Sequence, residues 1–387
     1  MALKIILIVI LLFLVILVAL PLLLRMAGVS SLQPIAVVGG ALTKGEGTVV
    51  RSEDGGREWE QVTFFYGRGV QLPARILDIA FHPRDENILY LGTKSSAIWR
   101  SADRGKTWSK VEDSSRVLRP DATVLRVAIS RSRPETLYAG VFQEERGRVL
   151  RSDDGGKTFR EVWAGVPESG SVVDLFVDPR DAGRLVIATG QGGILISQDG
   201  GARWRVIQWF GKPIIRLAVN PAFPQEMFVL TAEKQLRKTF DGGENWADLD
   251  LAGKPTGEGL GPIQGFPNPF FTAKPSPYRV ESFAVDPDDF TRVYAGGEAG
   301  FFRSFDGGFT WIPLALPLPP EGSWVTAIGP HPGSSGQRIF VGIRNELYRS
   351  DDAGSSWSAR TLPVELNARD IAIHPLSPDV MFAIMGR

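Results

Sequence analysis

Seven polar residues recur at one position of a repeated apolar segment: Asp78, Arg126, Asp174, Arg216, Ser282, Thr326 and Asp370 each stand immediately before its apolar core. Arginine presents a planar fork of donors that grips a carboxylate bidentately, whereas two carboxylates facing each other roughly 5–10 Å apart can hydrolyse a glycosidic bond. The column therefore suits either anion capture by its arginines or acid/base work by Asp78, Asp174 and Asp370. It also suits a structural role, because Asp78, Arg126, Asp174 and Arg216 alternate in sign and can pair between neighbours, satisfying charges that are costly beside a core. Three positions earlier runs a second column, Arg75, Thr123, Ser171, Pro213, Arg279, Ser323 and Asn367. On the binding reading Arg75, Arg279 and Asp370 with Asp78 stay unpaired and form a polar funnel for a peptide or carboxylate.

Two other stretches are candidates for partner binding. Arg116, Arg119, Arg126, Arg131 and Arg133 crowd one repeat unit and its connections. Lys254 to Tyr278 breaks the repeat period, and its Phe266-Pro-Asn-Pro-Phe270-Phe271 run is apolar but too interrupted by proline for a strand. An insertion on a rigid scaffold is a common place for function, so Phe266, Phe270 and Phe271 are read either as a cover over the mouth of the fold or as an anchor for a protein or membrane surface.

Other chemistries are excluded by composition. The chain has no cysteine, which removes thiol catalysis and disulfides, and its three histidines, His82, His331 and His374, sit at strand ends as turn residues, so neither a metal site nor a cofactor is expected. Lys plus Arg and Asp plus Glu number 43 each, a balance that argues against binding nucleic acid, which needs a basic surface. No phosphate-binding loop or nucleophilic serine motif is present.

The elements that must position these residues announce themselves by a shorter motif. Ser52-Glu-Asp54-Gly-Gly56-Arg-Glu-Trp59 recurs as Ser101/Asp103/Gly105/Trp108, Ser152/Asp154/Gly156/Phe159, Ser197/Asp199/Gly201/Trp204, Thr239/Asp241/Gly243/Trp246, Ser304/Asp306/Gly308/Trp311 and Ser350/Asp352/Gly354/Trp357. Ser and Asp oxygens bond local backbone, Gly permits positive φ, and the aromatic residue opens the next strand, so each copy is a hairpin turn and its Asp a folding device. Between copies lie paired apolar strands such as Ile79–Pro83 with Ile88–Gly92. Four short strands per unit and seven units predict an all-β, seven-bladed β-propeller. The last two strands, Asp370–Pro375 and Val380–Ile384, lack a turn motif of their own, and the first motif lacks inner strands. One blade is therefore expected to be shared by the two ends, with Ile35–Val38 as a competing second strand.

Ahead of the repeats, Ile5 to Leu24 is an unbroken apolar run of about 20 residues, enough to span a bilayer as a helix. It exceeds a secretory signal's apolar region, and Arg25-Met-Ala-Gly28 is a poor cleavage site. Residues 1–28 are thus read as an uncleaved transmembrane anchor, and residues 29–387 as the propeller, held on the extracytoplasmic side (periplasmic, lumenal or cell-surface) by the slight bias of Lys4.

The turn motifs match the Asp-box, or bacterial neuraminidase repeat, and with the strand-Pro-strand signature the chain resembles the seven-bladed propellers of the photosystem II assembly and stability factor family. That resemblance implies a non-catalytic protein on the lumenal or periplasmic side that binds a membrane-protein precursor through an arginine-rich patch; this chain differs from the cyanobacterial form in lacking a lipidated cysteine. Asp-boxes also occur in sialidases, xyloglucan hydrolases and sortilin-type receptors. A sialidase needs a loop Tyr paired with Glu and a Phe-Arg-Ile-Pro motif; only Tyr66 and Tyr278 lie in loops and the motif is missing. The expected function is a membrane-tethered binding or assembly propeller whose partner is a membrane protein or peptide segment. The alternative is a carbohydrate-active enzyme or glycan-binding protein.

Overall fold

The structure, a computed structural model, describes residues 48–65, 75–166, 170–251, 279–317 and 324–386. Over these the chain forms seven sheets, antiparallel except for one added strand in blade 1, arranged as a seven-bladed propeller, with inner strands Arg75–Phe81, Thr123–Ile129, Val172–Val177, Ile214–Val219, Val280–Val285, Ala327–Pro330 and Asn367–Ile373 in blades 1 to 7. The apolar run Ile5–Leu24, the Ile35–Val38 segment and Phe266, Phe270 and Phe271 lie outside the described residues. Among the described residues no helix is long and apolar enough to cross a membrane.

Each blade is locked by its turn in the same way. In blade 1 the Ser101 hydroxyl donates to Asp103 Oδ1 at 2.7 Å and accepts from Gly105 N at 2.8 Å, while Asp103 Oδ1 accepts from Thr107 N at 2.9 Å. Two short side chains thereby satisfy backbone donors that a tight turn leaves unpaired. Gly105 sits at φ +78°, and a Cβ there would lie 2.6 Å from the Phe382 ring, so both conformation and space require glycine.

A second device joins blades and has no counterpart in the motif as read from sequence. The residue just before the turn's Ser or Thr is a cation in most repeats, and it reaches the next blade's turn. Arg51 Nε donates to Arg104 O at 2.7 Å, Arg303 Nη1 to Ala353 O at 2.7 Å, Arg349 Nη1 to Gly55 O at 2.8 Å and Lys238 Nζ to Gly307 O at 3.3 Å. Between blades 1 and 2 the Tyr90 hydroxyl does the same to Gly155 O at 3.0 Å. Around these bonds the core is built between blades rather than within them: Val49, Phe382 and Ile384 of blade 7 pack with Ile79, Leu91 and Trp99 of blade 1.

Blade 7 draws on both ends of the chain. Its inner strands are Asn367–Ile373 and Met381–Gly386, and Thr48–Ser52 pairs antiparallel with the latter, Thr48 opposite Met385 and Ser52 opposite Met381, with Glu60–Gln61 outside it. Pairing both ends in one sheet removes the open edges they would otherwise leave. Blade 1 departs from the expected four strands. Thr63–Phe65, which follows the last strand of blade 7, adds to blade 1 as a fifth, parallel strand beside Thr107–Ser109.

Candidate functional site

The inner strands share a distortion that shapes the central channel. In six of the seven, the register with the second strand slips between the same two positions: Ile76/Asp78, Val124/Arg126, Val172/Asp174, Ile214/Arg216, Val280/Ser282 and Ala368/Asp370. A β-bulge sets two residues against one and re-aims their side chains. The skipped residues Leu77, Leu125, Val173, Ile215, Glu281 and Arg369 therefore line the channel beside the polar column. Sequence reading took the position three before the column as the mouth; the bulge gives that place to the residue directly before it.

The polar column crosses the channel as a layer of ion pairs. Arg126 Nη1 donates to Asp78 Oδ1 at 2.6 Å, and its Nε to Asp174 Oδ1 at 2.7 Å. Each carboxylate also ties down the following blade, Asp78 by accepting from Val127 N at 2.7 Å and Asp174 from Leu217 N at 2.9 Å. Asp78 and Asp174 are only 4% and 5% exposed. Burial raises the Asp78 pKa despite the Arg126 guanidinium beside it. Burial opposes the charge on Arg126, but the Asp174 and Asp78 carboxylates outweigh it and hold the guanidinium firmly protonated. Neighbour pairing of alternating charges thus holds for three members. Arg216 instead spans from blade 4 to blade 7, where its Nη1 lies 3.5 Å from Asp370 Oδ1. Thr326 donates its hydroxyl to Ala368 O at 2.6 Å, and Ser282 is buried.

Above this layer, at the end where the inner strands begin, is a cavity of about 320 Å³ lined by Arg75, Arg369, Glu281, Asp370 and the apolar bulge residues. Below it is one of about 740 Å³, with Arg126 and Arg216 in its lining and Phe223, Asp288, Phe290 and Pro332 toward the outside. The upper cavity is where a ligand would find uncommitted charge. Arg75 and Arg369 pass over Gly386, whose Cβ position would be 3.6 Å from Arg75 Nε and 3.5 Å from Arg369 Cγ. Neither forms a salt bridge among the described residues, although the Glu281 carboxylate favours the Arg369 charge from a longer range. Partial desolvation, then the neighbouring Arg75, lowers the Arg369 pKa. Glu281 in the same wall is paired with Lys234 Nζ at 2.5 Å.

These positions correct the funnel expected from sequence. Asp78 and Asp370 are paired rather than free, because the column faces the neighbouring blade or reaches across the channel. Arg279 is exposed ahead of its strand and does not line the cavity. Arg75 and Asp370 both line the cavity, Asp370 in its pair with Arg216, and Arg369 joins them. The five-arginine stretch forms no single patch: Arg126 is in the channel, while Arg116 and Arg119 precede a seven-residue strand and Arg131 and Arg133 follow it. Two of the three histidines act as turn acceptors: His82 Nδ1 accepts from Asp85 N at 2.9 Å and His374 Nδ1 from Leu376 N at 3.1 Å. Among the described residues no group of three His, Asp or Glu side chains is placed to hold a metal ion.

Comparison with known proteins places this geometry among related propellers. The family model described as Sortilin, neurotensin receptor 3 (Sortilin-Vps10) matches residues 47–166. Xyloglucanase Xgh74A of Acetivibrio thermocellus is 34% identical over 136 residues, 30% of this chain and 16% of that protein, so the chain spans only a small part of the relative's length. Among solved structures, the GH74 xyloglucanase from Xanthomonas campestris is similar with a TM-score of 0.61 at 17% identity, over 81% of this chain and 51% of the other. YCF48 bound to D1 peptide is similar with a TM-score of 0.58 at 16% identity, over 81% of this chain and 94% of the other. At such identities the likeness to the solved structures is one of fold.

Proposed function

We propose that this chain is a binding propeller of the Asp-box type, resembling the photosystem II assembly factors, which takes an anionic peptide segment of a membrane protein at its upper mouth and assists that protein's assembly or stability. The observation that carries the reading is the pair Arg75 and Arg369, which face an open cavity and form no salt bridge among the described residues. Guanidinium groups so placed bind planar anions, and the ion-pair layer beneath gives the cavity a floor, so a ligand is held at the mouth instead of passing through. The peptide bound by the similar YCF48 structure favours this class of ligand. The apolar run Ile5–Leu24 supplies the tether to the membrane and puts the propeller on the extracytoplasmic side.

The test is cross-linking in native membranes with the full chain and with an Arg75→Ala/Arg369→Ala variant, followed by mass spectrometry. A membrane protein cross-linked by the wild type and absent with the variant supports the reading. Equal recovery with both excludes the arginine mouth, and no membrane partner at all excludes the assembly role.

The second reading, a carbohydrate-active enzyme or glycan-binding protein, is favoured by the xyloglucanase relatives and by Asp370 and Glu281, two carboxylates in the wall of one cavity. Both are paired with cations, as are Asp78 and Asp174, which leaves no carboxylate of this layer free to act as acid. Release of reducing ends from xyloglucan oligosaccharides, abolished by Asp370→Asn, would establish this reading in place of the first.

A further inference from the structure

The bulge residues divide the upper mouth into two unlike halves. Passing round the ring, blades 1 to 4 contribute Leu77, Leu125, Val173 and Ile215, four apolar side chains in succession; the remaining arc carries Glu281 from blade 5 and Arg369 from blade 7, with Arg75 beside it. A purely anion-binding mouth has no use for the first half. Ile215 is 42% exposed although it sits at the wall of a cavity, so its apolar surface is left facing water in the unoccupied protein. The bulge is what allows this: it turns toward the channel a residue that regular alternation would bury between blades.

We propose that the Leu77, Leu125, Val173 and Ile215 crescent is a specificity subsite that selects, in the peptide held by Arg75 and Arg369, an apolar side chain adjacent to the bound carboxylate. This rests on the peptide-binding reading above and adds to it a sequence requirement. The cavity, at about 320 Å³, is of a size for one or two side chains and not for a folded element. The carboxylate meets the arginines on one side while the neighbouring side chain covers the crescent on the other. The anion removes the mutual repulsion of the two arginines, and the apolar group removes exposed surface from water.

Binding of fluorescently labelled pentapeptides to the full chain in detergent micelles, read by anisotropy, tests this. The probes are acetyl-Gly-Ser-Leu-Glu-Gly-amide, its Ser-Glu counterpart, its Leu-Gln counterpart, and a peptide ending in Leu with a free terminal carboxylate. The expected result is that the Leu-Glu peptide binds about tenfold more tightly than the Ser-Glu peptide, the gain for covering most of one aliphatic side chain, while the Leu-Gln peptide does not bind. A free-terminus peptide that binds as tightly as the Leu-Glu peptide shows that a chain-end carboxylate serves as well as a side-chain one, and a weaker one that the side chain is preferred; either result, beside the Leu-Glu preference, fulfils the proposal. Ile215→Ser, at a half-exposed position, should abolish the preference for Leu over Ser, and Ile215→Leu should keep it. Equal binding of the Leu-Glu and Ser-Glu peptides, or a preference unchanged by Ile215→Ser, overturns the crescent and leaves the arginine mouth standing. Absence of binding by every peptide overturns both.

Discussion

Replacing Arg126 with methionine separates the channel's ion-pair layer from its packing. Methionine keeps much of the stem's volume but removes the cation that Asp78 and Asp174 share at 2.6 and 2.7 Å. Both carboxylates retain a backbone donor, Val127 N or Leu217 N, so they stay where they are as buried, uncompensated and mutually repelling charges. Breaking one buried pair costs about 3–5 kcal/mol, and two carboxylates depend on this one guanidinium, so the upper part of that range is expected at pH 7.5. The penalty depends on charge and therefore on pH. Burial already raises the Asp78 pKa, so its carboxylate destabilises the variant when ionised, and the deficit shrinks as pH falls and Asp78 takes up a proton. Adding Asp78→Asn, which keeps an oxygen for Val127 N but carries no charge, should recover about 1–3 kcal/mol. Urea titrations of the full chain in micelles, followed by tryptophan fluorescence at pH 7.5 and pH 5, measure all of this. A deficit under about 1 kcal/mol at pH 7.5, or one unchanged at pH 5, would refute the view that the layer is held by charge.

Three further outcomes are expected. His374, held neutral by burial with its pKa lowered from 6.5 to about 4, contributes stability that is complete above pH 6.5 and is lost as pH falls through about 4. The loss is about 3 kcal/mol, and His374→Asn, which imitates the Asn220 turn of blade 4, should flatten that part of the stability–pH curve. Arg349→Met removes the charged hydrogen bond to Gly55 O that ties blade 6 to the turn of blade 7; urea denaturation should show a loss of about 1.5–3 kcal/mol, and limited proteolysis should cut first near Gly55. Gly105→Ala places a methyl against the Phe382 ring at positive φ and should cost about 2–4 kcal/mol, visible as a lower denaturation midpoint, whereas a neutral effect would mean the blade 7 and blade 1 seam yields easily.

The sequence by itself determined the parts of this protein that depend on near neighbours. The turn Ser, Asp, Gly and aromatic residues act on one another within a few positions, as Ser101, Asp103, Gly105 and Thr107 do, so their spacing was enough to fix seven turns and seven blades. The polar column was legible for the same reason, as one position in each repeated strand. Where those side chains go was decided only in three dimensions. Arg126 finds Asp78 and Asp174 in the two flanking blades, and Arg216 finds Asp370 across the channel, 154 residues away in the chain. Arg369 entered the mouth because a bulge repeated in the inner strands turns the residue directly before the column toward the channel, while Arg279 lies exposed ahead of its strand, and no shared residue type marks that bulge in the sequence. Spacing along the chain sets local hydrogen bonds, but the partners of a charge at the centre of a ring are set by the closing of the ring.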